Sequence, residues 1–280
     1  IYLGSANNDW KSLTQVKELG IVVENDSRIG NEFTRYYEAW WKFSGMTATK
    51  QTTKVYNKKY MIEEKLPNWS PKIPSSQRKP NPLYRKKYRT KYNWKSPMAW
   101  EVGGETGEMF LSGAPLEVCV ARRTFDEDAL VQTIMNAEKS VCVCVMDFAP
   151  VSLYRGDYNA EKKKLMVDCE VATPVWWPAL FDALIHVVST KAVHVRLFVS
   201  NWAHTSTFIQ PYLKAIQAAA DAAKSNHLMT SGKFEIKRFV VPGWECTEGK
   251  HRGYPGHTRV NHTKYNVTDN RVNIGTSNMT

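Results

Sequence analysis

His262 and Lys264 stand two residues apart, followed by Asp269 and then by Gly275-Thr276-Ser277-Asn278, an order that reads H-x-K-x4-D-x5-G-x-x-N. On an extended strand, residues two apart share a face, so the imidazole and the ammonium project together. Val272 to Ile274 reads as a return strand after a turn at Thr268-Asp269-Asn270, and it carries Ser277 and Asn278 back to the same place. A partial echo, Gly4-Ser5-Ala6-Asn7, lies at the other end of the chain. A base or nucleophile, a positive charge and an amide donor together suit one substrate group, a phosphodiester. A neutral imidazole can attack phosphorus and hold the phosphoryl group covalently. Lys264 and Asn278 would stabilise charge on the non-bridging oxygens. A second acid must protonate the leaving oxygen, and near neutral pH a second His does this best. One copy of the motif is therefore half a site. The bland reading is a strand that carries His and Lys by chance, and the spacing out to Asn278 weakens it.

These residues resemble the phospholipase D superfamily, in which the H-x-K-x4-D motif occurs twice. The resemblance is closest to the animal branch of phospholipase D members three and four, through the stretches 1–20, 37–40, 193–202, 239–242 and 260–278. It implies a phospholipase D-like α/β fold: two pseudo-repeated lobes with helices packed on mixed, largely parallel sheets, and an active site between the lobes. It implies lysosomal 5′-to-3′ exonuclease activity on single-stranded DNA or RNA, or phospholipid hydrolysis and transphosphatidylation, through a covalent phosphohistidine and without a cofactor or metal. The first H-x-K is expected upstream of Ile1, so the chain reads as a fragment in which Asn7 belongs to the tail of the first motif (without that first motif the alternative is a non-catalytic binder of phosphate-bearing ligands). His262 is then the leaving-group acid, with Lys264, Asn278, Ser277 and Asn7 around the phosphate. Glu18 falls where the family often places a carboxylate that orients a catalytic His, and its partner is expected in the missing part; the alternative is a surface carboxylate beside Lys17. Asp269 is expected to fix the turn rather than touch phosphate.

The net charge of +11 is concentrated in one place: between Lys50 and Lys95 there are fourteen Lys or Arg against Glu63 and Glu64 alone. Pro67, Pro71, Pro74, Pro80, Pro82 and Pro97 fall in the same region and argue against a packed helix or sheet there. The expected organisation is a first-lobe remnant at 1–47, a basic insertion or linker at 48–106, and a second lobe at 107–280. Tyr84, Tyr88 and Tyr92 recur among basic residues, a pattern that suits single-stranded nucleic acid or anionic headgroups. A solvated Lys-rich loop is the preferred reading of that stretch.

Around this segment helix and strand patterns alternate. Gly20 to Val23 reads as a strand and Phe33 to Trp41 as a helix. Asp126 to Lys139, with Thr124 as a cap, reads as a second helix, and Val141 to Phe148 as a strand buried on both faces. Trp176–Val188 and Thr207–Ala223 read as helices, and Val193–Ser200 and Phe234–Val241 as strands. This βαβ order calls for a partly parallel sheet covered by helices, with the motif hairpin at its edge. Trp176 and Trp177 are expected in the core, and Trp202 and His204 beside the substrate.

Cys246, His251, His257 and His262 lie within seventeen residues, but their spacing is not that of a zinc finger and no metal is expected. Cys142 and Cys144 read as inert core thiols, while Cys119, Cys169 and Cys246 are candidates for pairing in an oxidising compartment. Glycosylation sequons occur at Asn25 and Asn68, and also inside the motif at Asn261, Asn266 and Asn278. The sequence contains no run of membrane-spanning length. The resemblance implies a secretory-pathway protein of the lysosome or endoplasmic reticulum lumen, anchored through the part that precedes this chain. The partners expected are single-stranded nucleic acid or phospholipid as substrate, and a second copy of the protein in a homodimer.

Overall fold

The computed structural model describes residues 1–44, 53–57, 62–66, 88–114, 119–120, 122–151, 158–159, 164–165, 176–225, 232–242 and 257–279. It divides into two compact units. One comprises Ile1, Val23–Ala129 and Gly156–Ala172; the other comprises Tyr2–Val22, Leu130–Arg155 and Thr173–Thr280. Residues 2–22 group with the later stretches rather than with Val23–Ala129.

The second of these units is built on a five-stranded sheet in the order Phe234–Phe239, His194–Ser200, Ser140–Val145, Tyr265–Thr268, Val272–Ile274. The first three strands are parallel, and the last two continue antiparallel as the motif hairpin. Two of the four pairings are thus parallel. Helices Ala179–Lys191 and Ile209–Ser225 make the crossovers that parallel neighbours require. Alternation decides which face is covered. Val141, Val143 and Val145 join Val195, Leu197 and Val199 in one buried cluster with Leu184, Val187, Ile209, Leu213 and Ile216 from the helices. Each fully buried aliphatic side chain contributes about 1.5–3 kcal/mol. Helix Ala179–Lys191 ends on Ala192, in the left-handed region at φ 55°, whose N–H closes onto the Val187 carbonyl. A short antiparallel pair, Tyr2–Gly4 with Gly20–Val22, flanks helix Trp10–Gln15, which is capped by the Asp9 carboxylate on Ser12 N–H at 2.9 Å. A Cβ on Gly4 would meet Gly20 Cα at 3.0 Å, which accounts for the glycine that begins the first G-x-x-N.

Several expectations are corrected here. Thr124 does not cap helix Asp126–Met135; it lies in the strand Thr124–Phe125 and accepts from Trp94 N–H at 2.9 Å. Asp126, Glu127 and Asp128 in the first turn supply the favourable charge instead. Trp176 is 53% exposed and leans on Tyr212 rather than entering the core. Cys142 and Cys144 point away from the Val141–Val143–Val145 face, and only Cys144 is buried. Cys119 is buried, and its thiol donates to Gly113 O at 3.1 Å; Cys169, Cys246, His251 and Asn68 lie outside the described residues.

The other unit centres on helix Ser27–Ser44. Its buried Glu32 meets Arg35 at 2.7 Å and Arg123 at 3.6 Å and accepts from the Thr90 hydroxyl. Contrary to the reading of 48–106 as unpacked, strands Thr53–Asn57 and Ile62–Leu66 pair there, as do Met98–Val102 and Glu105–Met109. The latter hairpin turns on Gly103 and Gly104, both at positive φ, as a tight two-residue turn needs. The prolines from 67 to 82 lie outside the described residues, as does Tyr84, while Tyr88 is buried at 3% exposure and is removed from any stacking surface. No helix among the described residues is long and apolar enough to cross a membrane.

Candidate active site

Residues 15–18 run alongside residues 259–262 and form a short parallel bridge, with Arg259 N–H on Gln15 O, Lys17 N–H on Val260 O and His262 N–H on Lys17 O at 2.9–3.1 Å. The Lys17 ammonium locks this register by donating to Asn261 Oδ1 at 2.8 Å and Thr263 Oγ1 at 3.3 Å. His262 and Lys264 lie just ahead of strand Tyr265–Thr268, which starts later than expected, and both still face one cavity. Asn261 and Thr263, with no exposed surface, turn the other way. Thr263 Oγ1 meets the Cys144 thiol at 3.1 Å, and the Ser200 hydroxyl donates to Asn261 O at 2.6 Å.

The register brings Glu18 to His262. The carboxylate lies 2.9 Å (Oε1) and 3.2 Å (Oε2) from His262 Nδ1. This overturns the expectation that the partner of Glu18 lies outside the chain. The Ser5 hydroxyl donates to Glu18 Oε2 at 2.6 Å, and Ser5 Oγ in turn accepts from Leu19 N–H. A carboxylate on Nδ1 selects the tautomer with the proton on Nδ1 and leaves Nε2 as the working nitrogen; it also stabilises the imidazolium when Nε2 takes a proton. His262 lines a cavity of about 510 Å³ with Gly4, Ser5, Ala6, Asn7, Met146, Lys264, Thr276, Ser277 and Asn278. Of these ten residues only Met146 is large and apolar.

Lys264 is 4% exposed, and burial pulls its ammonium down to about 8, a shift opposed by the nearby Glu18 and Asp147 charges. Asp147, at the end of the central strand, is pushed up to about 6 by burial and drawn back by Lys264. Asn278 Nδ2 donates to Asp147 Oδ2 at 3.4 Å. A cation, amide donors and an imidazole backed by a carboxylate face one space, and such a set can hold a tetrahedral phosphoryl group and move a proton at its edge.

Of the residues singled out from sequence, His262, Lys264, Ser277, Asn278 and Asn7 all line this cavity, and Glu18 stands directly behind His262. Asp269 does not line it. Its carboxylate accepts from the amides of Glu138, Lys139 and Ser140 at 2.9–3.1 Å, which pins the hairpin turn to the start of the central strand and draws its pKa down to about 2. Trp202 and His204 do not line it either; they form an aromatic cluster with His257, whose ring stacks on His204 at 4.4 Å. Lys17, Asn261, Thr263 and Asp147 do not stand out as site residues in the sequence. Asp147 alone left a signal, as an acid at the C-terminal end of an otherwise apolar strand, where open α/β sheets gather their binding groups.

Residues 77–243 match the family model described as "PLD3/4, PLD-like domain". The chain is 32% identical over 277 residues to the 5′-3′ exonuclease PLD3 of Bos taurus, covering 99% of this chain and 45% of that protein. It is 32% identical over 281 residues to the virion nicking-joining enzyme of vaccinia virus, covering 100% of this chain and 51% of the relative. A probable phospholipase D of Caenorhabditis elegans is 30% identical over 278 residues, covering 99% and 41% respectively. The chain thus spans about half the length of the curated relatives it matches.

Proposed function

The chain belongs to the PLD-like domain family of the PLD3/4 type and has its α/β fold, and from that premise we propose that it carries half of the active site of a metal-independent phosphodiesterase. The observation that supports this most strongly is the Ser5–Glu18–His262 series opening on a cavity shared with Lys264, Asn7 and Asn278. In this reading the histidine of an upstream H-x-K attacks phosphorus. A P–N bond forms as the P–O bond to the leaving alkoxide breaks. His262 Nε2 gives its proton to that alkoxide, then takes one from the water that displaces the imidazole. Lys264, Asn7, Ser277 and Asn278 hold the non-bridging oxygens throughout.

The substrate class that fits best is single-stranded nucleic acid, degraded from a 5′ end. Two relatives at 32% identity are named an exonuclease and a nicking-joining enzyme. An enzyme that cuts and rejoins suits a covalent intermediate, which conserves the bond it breaks. The small polar lining offers little apolar surface for an acyl chain. The phospholipid alternative draws on the relative named a probable phospholipase D. A lysosomal setting, a homodimer and an anchor outside these residues belong to the same proposal. Asn25 is exposed and can carry a glycan, whereas Asn261 and Asn266 are fully buried.

The test presents the full-length protein in EDTA with equal phosphodiester concentrations of a 5′-hydroxyl single-stranded oligonucleotide and phosphatidylcholine vesicles. Faster release of mononucleotides is expected, and exclusive headgroup release would transfer the site to lipid chemistry.

A further inference from the structure

We infer that Asp147 is a positioning residue for the phosphate-holding groups, fixing the amide of Asn278 as a donor toward the substrate; the inference rests on the phosphodiesterase reading above. Asp147 is 8% exposed and follows the central strand Ser140–Val145. Its carbonyl accepts from Met279 N–H at 3.3 Å, Ala149 N–H donates to Met279 O at 3.1 Å, and Phe148 bridges Met279. That ladder lays Asn278 against Asp147, where Nδ2 donates to Oδ2 at 3.4 Å. The Asn278 Oδ1 atom is buried and has no hydrogen-bond partner among the described residues. The NH₂ is therefore the polar edge of this amide left for the carboxylate and the cavity. A carboxylate only accepts, so it selects the orientation in which Asn278 is a donor, the one a phosphoryl oxygen requires. An amide at position 147 can donate or accept and would lose that selection.

Among the described residues, the charged and titratable groups around Lys264 are Asp147 from the central strand, Glu18 from the paired segment, and His262 held by Glu18. Asp147 and Glu18 both oppose the effect of burial on the ammonium. Removing the Asp147 charge lets burial act further, and Lys264 loses its proton at a lower pH.

The experiment uses the full-length protein and inorganic sulfate, a dianion throughout pH 5–10, with affinity followed by calorimetry alongside phosphodiester turnover. In the wild type, sulfate affinity declines as pH rises through the Lys264 transition. Asp147→Asn is expected to move that midpoint down by about one pH unit and to lower kcat/KM near pH 8 about tenfold or more. Its thermal midpoint at pH 7 should equal or exceed the wild type, since a buried carboxylate is replaced by a neutral isostere. Asp147→Glu should return the sulfate midpoint toward the wild-type value. An Asn variant that keeps the wild-type sulfate affinity and kcat/KM, or that fails to fold, overturns the inference. Absence of turnover in the wild type would sink the phosphodiesterase reading, while the sulfate midpoint would still decide the role of Asp147.

Discussion

Glu18→Gln tests how much of the site depends on one carboxylate. The glutamine can still meet Nδ1, but it no longer stabilises the imidazolium or fixes the tautomer. A loss of about 10²–10⁴ in kcat with a modest change in KM is expected, by analogy with carboxylate-to-amide changes behind catalytic histidines. Ser5→Ala removes one hydrogen bond to Glu18 and should cost about tenfold. Lys264 is expected to set the alkaline limb. It is charged below about 8 and neutral above, so kcat/KM should fall as pH rises through that value, and a profile flat to pH 10 would contradict its role. The linkage has the opposite sign for stability: the folded protein binds fewer protons than the unfolded chain between about 8 and 10.5, so resistance to denaturant should rise across that window. The cavity-lining residues of the motif were legible because two-residue and tail spacings are local facts. The partner of Glu18 was not, because it lies 244 positions away and is delivered by the register of residues 15–18 on 259–262. Lys17 looked like an ordinary surface cation for the same reason.

The hairpin that carries the motif depends on its own anchor. Asp269→Ala removes the acceptor for three backbone amides and should destabilise the protein by about 1 kcal/mol, in the range of a lost helix cap. The carboxylate's folded pKa is depressed to about 2, so this contribution is fully present above the ordinary value of 3.8 and is lost as pH falls from there toward 2. Denaturant midpoints for wild type and variant should therefore draw together as pH falls from 3.8 to about 2; a constant gap across that range would contradict the anchor. The strands and helices of the large sheet followed from apolar periodicity, within a few residues at their ends. Thr124 was misassigned as a cap because a Thr ahead of an acidic turn satisfies that pattern equally well when it belongs to a strand. The hairpins within 48–106 were obscured by nearby prolines whose breaks do not extend to Thr53–Asn57 or Met98–Val102.

At the scale of the whole molecule, each compact unit has its own determinants. In the unit built on helix Ser27–Ser44, Arg123 and Glu32 have side chains 0% and 6% exposed, and Arg123→Met would leave Glu32 charged and buried beside fewer partners. A loss of about 3 kcal/mol or more is expected in urea unfolding; a loss under 1 kcal/mol would make the pair incidental. None of this was visible in the sequence, where Arg123 is one of many basic residues. The overall class was legible, because alternating helix and strand patterns admit few arrangements. The grouping of residues 2–22 with the later stretches was not, since it depends on contacts between distant segments. In the proposed function His262, backed by Glu18, drives phosphodiester cleavage without a metal. Its most direct test is the full-length protein and its His262→Ala variant on a 5′-hydroxyl single-stranded oligonucleotide in excess EDTA. Stepwise release of mononucleotides from the 5′ end is expected from the wild type, and none above background from a variant of unchanged thermal midpoint. Equal release by the two proteins, or release that EDTA abolishes, would contradict it.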